Sequence, residues 1–435
     1  MDKFVYKELK ETVYRKELKN GLTVILLPKK EYRTTYALFS TDYGSIDQLF
    51  IQEGEKNSSQ FPPGVAHFLE HKLFETENGD VFDDFSRFGA SANAFTGITK
   101  TAYLFSCTEN VRENLDILLN FVQTPYFTEE SVDREKEIIG QEIQMYEDQP
   151  EWIGMMGLLN NLYPNHPIQT DIAGTVDSIK NITADDLYKN HHAFYHPSNM
   201  QLVVAGNIDV YRTIKWIEAN QAAKSFEAIN KIQRIFPTDS EQIIVPFKSF
   251  KMDVVKSKVY MGIKGSRHTL RGQEALVYSL KMEFILKMLF GETSRTYLDL
   301  YNQQIIDDSF NYEHTIERQV DYLSISGDTT DPVEFTEIFK QLLLTAVHNP
   351  DFNEAHFELV KKRIIGQELQ SLNSLDYIAN QFADLTGTKE TVFDIIYLIE
   401  QIELQEIVQL ASQYLLEQRL SVFHILPDLD AEKSK

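Results

Sequence analysis

The segment His67-Phe-Leu-Glu70-His71 brings together three side chains that can take part in metal chemistry. On an α-helix, positions i and i+4 lie one turn apart on the same face, so both imidazoles can reach one cation. Glu70 points to nearly the same side and can touch whatever occupies the open position of the metal. The order is the reverse of the H-E-x-x-H metalloprotease helix and matches the inverted zinc-peptidase motif. These residues therefore predict a catalytic zinc site.

The sequence around the motif favours a helix. Pro62-Pro63-Gly64 comes before it, and residues 65–74 then have helical composition without proline or glycine. The alternative is an amphipathic helix whose polar face carries two histidines by coincidence. Catalytic zinc usually has three protein ligands, so the zinc interpretation requires a third ligand elsewhere in the chain.

A third ligand is predicted from the helical pattern between Glu129 and Glu147, for which Thr128 is the predicted N-cap. At 100° per residue, one face of this helix is apolar except for Glu135 and Glu142. Burying an unpaired carboxylate costs several kcal/mol, so such a residue needs a partner, and a zinc ion is one. The alternative is that both glutamates tilt to solvent or meet a basic residue such as Arg134. Helix geometry leaves both interpretations open.

A second group of histidines carries a weaker signal. His192 and His196 are again four apart, and His191 is adjacent, but Pro197 ends any helix there and no carboxylate has a matching position. We therefore predict ordinary packing or capping for these histidines rather than metal ligation. Cys107 is predicted to be a small core residue.

Length and composition indicate a soluble globular protein with two or three domains. The chain has 435 residues, of which 43% are hydrophobic and 25% charged. No apolar run approaches the roughly 18 residues of a membrane span, and residues 1–10 lack the apolar core of a signal peptide. The single cysteine fits a reducing cytoplasm. A net charge of −23 argues against nucleic acid and anionic membrane surfaces as partners.

The order of predicted elements indicates two similar α+β halves, each a sheet packed with helices. The predicted strands are 22–28, 34–40, 101–107, 201–206, 259–263 and 420–426, and the first two are expected to pair through a charged turn. Long helices are predicted at 111–123, 129–147, 275–289 and 354–372. We predict a zinc-binding domain over 1–220, a linker over 221–245 and a second domain without the metal motif over 246–435. No residue-level repeat is evident, so the duplication is a prediction about topology.

An ordered set of motifs resembles the pitrilysin family of zinc peptidases, which includes insulin-degrading enzyme and the mitochondrial processing peptidases. The resemblance covers nearly the whole chain and is far more specific than the metal motif alone. Besides the histidine motif, the matching segments are Asn20-Gly-Leu-Thr-Val, Gly89-Ala-Ser-Ala-Asn93-Ala94-Phe-Thr, Glu135-Lys-Glu-Ile-Ile-Gly-Gln-Glu142-Ile and Phe194-Tyr-His-Pro-Ser-Asn-Met-Gln-Leu-Val-Val-Ala-Gly206.

The resemblance implies roles for individual residues. By matching position, His67, His71 and Glu142 are implied to be ligands of one zinc ion per chain, and Glu70 the catalytic base of a peptide-hydrolysing endopeptidase. Glu135 matches a family glutamate near the metal that supports catalysis without being a direct ligand. The separation of 71 residues between His71 and Glu142 is somewhat shorter than in the family, which a shorter connection before the helix explains.

The resemblance also implies an architecture and a way of binding substrate. Two α+β halves of similar topology are expected to close like a clamshell around a chamber. The strand after Asn93-Ala94 is expected to offer an unpaired edge to an extended peptide, so that backbone pairing supplies the binding.

One departure from the family pattern lies in the second half. Family members often carry an arginine and, seven residues later, a tyrosine that contact the substrate carbonyl across the chamber. Aligned on Ser294-Arg295, the corresponding positions here are Tyr301 and Asp308. We predict that a second, related chain supplies the missing pair in a heterodimer. The alternatives are a non-catalytic structural or assembly subunit and an enzyme that acts alone on very short peptides.

Overall fold

Two β-sheets, each packed against helices, organise the chain in this computed structural model, which describes residues 1–52, 54–227, 231–237, 243–385 and 390–428. The strands are β1 (Asp2–Tyr6), β2 (Glu11–Glu17), β3 (Thr23–Pro28), β4 (Thr35–Thr41), β5 (Leu49–Gln52), β6 (Ser59–Gln60), β7 (Glu75–Thr76), β8 (Gly79–Asp80), β9 (Ala90–Thr96), β10 (Thr101–Cys107), β11 (Met200–Gly206), β12 (Ile232–Arg234), β13 (Phe247–Met252), β14 (Ser257–Lys264), β15 (Asn311–Glu317), β16 (Val320–Thr329) and β17 (Leu420–Pro427). The helices are α1 (Val65–Leu73), α2 (Val81–Arg87), α3 (Val111–Gln123), α4 (Glu129–Glu147), α5 (Pro150–Leu162), α6 (Val176–Ile179), α7 (Ala184–Phe194), α8 (Val210–Ala222), α9 (Gly272–Phe290), α10 (Arg295–Asn302), α11 (Pro332–Leu344), α12 (Glu354–Ser371), α13 (Leu375–Asp384), α14 (Ile395–Gln401) and α15 (Leu404–Tyr414).

The two larger sheets share one strand plan. In the first, β11 is parallel to β3 and antiparallel to β4, β4 pairs with β10, and β10 pairs with β9 at the edge. In the second, β17 is parallel to β13 and antiparallel to β14, β14 pairs with β16, and β16 pairs with β15 at the edge. The hairpin β1–β2 extends the first sheet beyond β3. The predicted α+β fold with two similar halves is confirmed.

The predicted pairing of the strands at 22–28 and 34–40 is wrong. They form β3 and β4, but β11 lies between them. Every residue of β11 is buried. A buried strand needs hydrogen-bonded neighbours on both sides, and only an interior position in the sheet supplies them. The charged segment after β3 therefore crosses over to the far side of β11 instead of closing a hairpin.

The helices recur in the same order between equivalent strands. In chain order α1 lies between β4 and β9, and α9 lies between β14 and β15. Likewise, α4 is the second α-helix after β10, and α12 is the second α-helix after β16. Comparison of the equivalent helices α4 and α12 shows a short sequence repeat, although none was predicted. Ile138-Ile-Gly-Gln-Glu142 of α4 recurs as Ile364-Ile-Gly-Gln-Glu368 of α12. Five residues are too few to identify a duplication from sequence alone.

Each half packs one helix on the sheet of the other. α5, from the first half, packs on β14 and β17, and α13, from the second, packs on β4 and β11. The approach of α5 is close, since a Cβ added to Gly154 would lie 1.9 Å from a ring carbon of Tyr260. At the other contact the Tyr36 hydroxyl donates to Asp376 at 2.6 Å. The two halves are therefore interlocked along their common side.

A buried ionic cluster joins three parts of the chain. Fully buried Asp47 accepts hydrogen bonds from Arg234 at 2.9 Å and from Arg318 at 2.7 Å, and Asp42 pairs with the same two arginines. Arg234 belongs to β12, which lies in the segment predicted as a linker over 221–245. This strand pairs with β5 of the first half. Residues 228–230 and 238–242 of that segment lie outside the described residues.

Hydrophobic side chains form a core that continues from one half into the other. Val203 of β11, Met261 of β14 and Phe284 of α9 belong to one buried cluster. A second cluster lies beneath α1 and α3 and includes Phe68 and Cys107, so the cysteine is a core residue as predicted. No helix in the described ranges has both the length and the apolar character to cross a bilayer.

Candidate active site

The short helix α1 positions the three motif side chains. It begins after Gly64, which has a φ of 91°, and a Cβ added there would lie 2.4 Å from the carbonyl oxygen of Ala173. Only glycine combines this backbone angle with so close a contact. The turns that follow place His67 and His71 beside α4, and Glu70 beside β9.

Helix α4 presents its glutamates to α1. Thr128 is the N-cap, as predicted, and forms a capping box with Ser131. The predicted face is also found, since Val132, Ile139 and Ile143 are buried along it. Glu135 and Glu142 lie on the side of α4 that meets α1, because both approach the histidines of the motif.

The structure brings His67, His71 and Glu142 together. His67 Nε2 lies 3.8 Å from Glu142 Oε1, and His71 Nε2 lies 3.7 Å from Glu142 Oε2. One ligand atom from each residue lies within 4.8 Å of the others. These separations exceed hydrogen-bond length but approach the roughly 3.3 Å between ligand atoms that surround a tetrahedral zinc ion at 2.0–2.1 Å. Two imidazoles and one carboxylate, with a fourth position open, therefore fit zinc.

Glu135 orients one of the two histidines. Its Oε1 lies 3.1 Å from His71 Nδ1, where it accepts the ring N–H. The proton on Nδ1 leaves the Nε2 lone pair of His71 directed toward Glu142. His67 differs, because its Nδ1 is buried and has no hydrogen-bond partner in the part of the chain that the structure describes. Glu135 thus contacts a candidate ligand without being in the ligand set.

Glu70 is held in a nearly buried position. Only 8% of its surface is exposed, and Thr96 Oγ1 donates to its Oε2 at 3.0 Å. Burial raises the pKa of Glu70, and the charge of Glu142 adds to the rise, while His71 and the Thr96 hydrogen bond oppose it. A carboxylate with a raised pKa and a fixed oxygen is suited to accept a proton near neutral pH.

The two motif histidines differ in basicity. Burial, together with the neighbouring His71, lowers the pKa of His67 to about 3. For His71, burial is outweighed by the hydrogen bond with Glu135 and the charges of Glu70, Glu135 and Glu142, so its pKa is raised. His67 is therefore neutral at physiological pH, the form in which histidine binds a metal, whereas a proton competes for His71.

Two residues at the site were not predicted. Thr96 follows Asn93 at the end of β9, and its contact with Glu70 joins segments that no local pattern relates. Lys72 comes directly after His71, is fully buried and forms an ion pair with Glu75. A signal for Lys72 exists in the sequence, because it continues the apolar i, i+3, i+4 and i+7 stripe of α1 that begins at Val65.

Asn93 and Ala94 lie in the edge strand itself, whereas the prediction placed the edge at the strand that follows them. The strand that follows them, β10, is interior, because it pairs with both β4 and β9. The edge strand is β9, which contains Asn93 opposite Leu104 and Ala94 opposite Tyr103. Within the described ranges β9 pairs with β10 alone, so its other edge carries no paired strand. The side chains of residues 90–94 in β9 are small, which lets another backbone approach this strand closely.

The other predicted positions are surface or packing residues. Tyr301 lies on α10 with its ring stacked on Tyr297, and Asp308 is exposed. His191 Nε2 lies 2.8 Å from the carbonyl oxygen of Val122. Burial lowers the pKa of His191 to about 4.

The prediction of capping is also met near the end of α7. His196 Nδ1 accepts the backbone N–H of Ser198 and caps a short 3₁₀ turn. His192 lies 3.6 Å from Glu227.

Comparison with known proteins gives the chain a family. A family model described as insulinase, peptidase family M16, matches residues 41–176, and one described as the peptidase M16 inactive domain matches residues 181–364. The chain is 43% identical over 422 residues to YmfH of Bacillus subtilis, described as an uncharacterized zinc protease, covering 97% of this chain and 98% of that protein. The chain belongs to peptidase family M16. The resemblance seen in the sequence is confirmed.

Solved structures of M16 proteins agree with the fold. An M16-like peptidase from Alicyclobacillus acidocaldarius matches with a TM-score of 0.92 at 33% identity, over 96% of this chain and 99% of that one. The periplasmic protease PqqL of Escherichia coli matches with a TM-score of 0.71 at 18% identity, a likeness of fold alone. That match covers 97% of this M16 chain but 48% of PqqL, so PqqL is about twice as long.

Proposed function

We propose that this M16 protein is a zinc-dependent endopeptidase. The observation that carries the proposal is the convergence of His67, His71 and Glu142 within 4.8 Å, beside a nearly buried Glu70. His67 and His71 would hold zinc through Nε2, and Glu142 would be the third ligand. Bound zinc would supply Lewis-acid activation of water and of the scissile carbonyl.

In this proposal Glu70 moves the proton. Its carboxylate takes a proton from the attacking water and delivers it to the leaving amine, a general acid–base role worth roughly 10²–10⁴ in rate. Thr96 donates a hydrogen bond to Oε2, so Oε1 would be the oxygen that exchanges the proton. Glu135 keeps the proton of His71 on Nδ1, so that the opposite nitrogen stays directed at Glu142.

The proposed substrate is an extended peptide bound along β9. The open edge of β9 supplies backbone donors and acceptors, and the small Ala94 side chain leaves room for a close approach. Thr96 lies on the same strand and contacts Glu70, so a peptide added to this edge would run past the general base. Backbone pairing gives affinity without a strict choice of side chains.

We further propose that a second, related chain completes the enzyme. Tyr301 and Asp308 stand where family members often carry the arginine and tyrosine that contact the substrate carbonyl. The two halves of this chain pack against each other along their common side. A chamber that encloses a peptide would therefore need a second chain to form its opposite side. PqqL, about twice as long, is consistent with a second unit of this size in the working assembly.

A non-catalytic assembly subunit is the alternative, and it has an observation in its favour. The family model that matches residues 181–364 is described as an inactive domain. A purely structural subunit, however, has no use for a buried Glu70 beside three candidate ligands. The alternative predicts no hydrolysis under any condition, whether or not metal is bound.

Peptide cleavage tests these proposals. Purified chain is incubated with a mixture of unstructured peptides, alone and with a related M16 chain that carries the arginine–tyrosine pair, and products are identified by mass spectrometry. We expect zinc-dependent internal cleavage only with both chains present, lost on adding a chelator. Full activity of the chain alone would contradict the heterodimer. Absence of cleavage in every combination, with zinc bound, would favour the structural subunit.

A further inference from the structure

A buried lysine lies beneath the candidate metal ligands. Lys72 is 0% exposed, on the apolar stripe of α1 that also contains Val65, Phe68 and Leu69. An ammonium group is costly to bury unless opposite charges surround it, and a hydrophobic residue of similar size would suit this stripe better. The position of Lys72 therefore calls for an explanation beyond packing.

The partners of Lys72 connect it to the site. Its Nζ pairs with Glu75 and lies 3.9 Å from Glu135 Oε2. The other oxygen of that carboxylate, Oε1, lies 3.1 Å from His71 Nδ1. Glu135 thus has a buried cation 3.9 Å from one oxygen and the imidazole ring 3.1 Å from the other.

Charge balance points in the same direction. Glu135 lies 3.1 Å and Glu142 lies 3.7 Å from the His71 ring, and Glu70 comes directly before His71 on α1. Three carboxylates around one small site repel one another unless cations lie among them. Lys72 supplies a fixed positive charge on the side of Glu135 that faces away from His71.

We propose that Lys72 is a positioning residue for the metal ligand His71 and acts through Glu135. It fixes the Glu135 carboxylate so that Oε1 accepts the Nδ1 proton of His71, which keeps Nε2 of the ring directed toward Glu142. This proposal rests on the proposed metal site. It assigns Lys72 no contact with substrate and no part in proton transfer.

The chain offers a matched control in Lys29. It is also buried, with 3% exposed, and pairs with the carboxylate of Glu11. Lys29 follows β3 and lies over the ring of Tyr32. Replacing either lysine removes a buried cation, but only Lys72 has a link to Glu135.

The test measures metal affinity in the full chain by competition with a chelator, using zinc, and records the visible spectrum of the cobalt-substituted protein. Loss of a partner behind a metal ligand typically weakens binding 10–100-fold. We expect Lys72→Met to weaken zinc binding by roughly 10-fold or more and to shift the cobalt bands. Lys29→Met should leave both unchanged, and Lys72→Arg should restore part of the affinity. When Glu135 has already been replaced by glutamine, Lys72→Met should weaken zinc binding little further.

Two outcomes overturn the inference. One is wild-type zinc affinity and an unshifted cobalt spectrum in Lys72→Met. The other is an equally large loss in the Glu135→Gln background, because Lys72 would then act by another route. If Lys72→Met does not fold, Lys72→Gln carries the same expectation. Failure of the proposed function looks different: the wild-type chain itself would bind no zinc, or would bind zinc and cleave no peptide even with the related chain present, whatever Lys72 does.

Discussion

The two halves of this M16 protein share one plan but differ in the helix pair that could hold a metal. In the first half α1 carries His67, Glu70 and His71 and packs against α4. In the second, α9 and α12 occupy the corresponding places and also pack together. When Phe284 of α9 is aligned with Phe68 of α1, Glu283 and Lys287 stand where the two histidines stand.

The counterpart helix pair satisfies its charges without a metal ligand set. Lys287 Nζ lies 3.2 Å from Glu283 and donates to Gln367 at 2.6 Å. Glu368, which matches Glu142 in the five-residue repeat, accepts the Tyr377 hydroxyl at 2.6 Å. Among the described residues, the group with metal-ligand spacing is the one in the first half. The duplicated fold thus presents candidate metal ligands on one copy, through a few side chains that the fold itself does not dictate.

The largest difference expected between the halves is in turnover. Glu70→Gln keeps the shape of the side chain but removes the proton acceptor, so we expect peptide cleavage by the complete enzyme to fall roughly 10²–10⁴-fold. Zinc content should not change, because Glu70 is outside the ligand set. Cleavage rates and elemental analysis of the same samples check this. Retained activity would rule out Glu70 as the base.

The second comparison concerns the matching glutamates of α4 and α12. Glu142→Gln should weaken zinc binding by about 100-fold or more, beyond the range typical of outer partners. Glu368→Gln should leave zinc binding unchanged, since its Tyr377 contact lies in the other half. Chelator competition on both variants measures the difference. Equal losses in the two variants would mean that the halves are not chemically distinct.

A third expectation concerns pH. The pKa of His71 is raised above its ordinary value in the metal-free protein, whereas that of His67 is lowered to about 3. As pH falls below the pKa of His71, zinc must displace one proton, so its affinity should drop about tenfold per pH unit. Above that pKa the affinity should level off. A dependence on two protons near pH 6 would show that His67 is not held neutral.

The smallest expected effect tests the interlocking of the halves. Gly154→Ala places a methyl group against the ring of Tyr260 and should reduce the free energy of unfolding by about 1–3 kcal/mol. Gly366→Ala is the matched control in helix α12, because nothing lies within 4 Å of its added Cβ. In the control the free energy of unfolding should stay the same or rise by up to about 1 kcal/mol, because alanine has the higher helix propensity. Urea unfolding of both variants measures the contrast, and equal effects would contradict close packing of α5 on the second sheet.

Local patterns in the sequence predicted the local structure well. The helices at 111–123 and 129–147 and the strand at 101–107 have the bounds that were predicted, and Thr128 is the N-cap. Spacing on two helix faces singled out the two histidines and, together, Glu135 and Glu142 as candidates, and the family resemblance then chose Glu142 as the ligand. These features depend on neighbours a few residues apart, which a single sequence contains.

Long-range arrangements could not be derived in the same way. The insertion of β11 between β3 and β4, the exchange of α5 and α13, and the edge position of β9 depend on pairings between distant segments. Apolar periodicity shows that a strand is buried but not which strand lies beside it. Thr96 was missed for the same reason, because its importance lies in a contact with Glu70. Lys72 interrupts the apolar stripe of α1 in the sequence, but its link to Glu135 is visible only in the structure.

Zinc content of the purified chain is the most direct test of the central claim, that one half of this M16 protein holds a hydrolytic metal centre. Elemental analysis after chelator-free purification is compared with that of His71→Ala, which removes one candidate ligand. The account predicts about one zinc per wild-type chain and almost none in the variant. A wild-type chain without zinc, or a variant that retains it, would contradict the assignment.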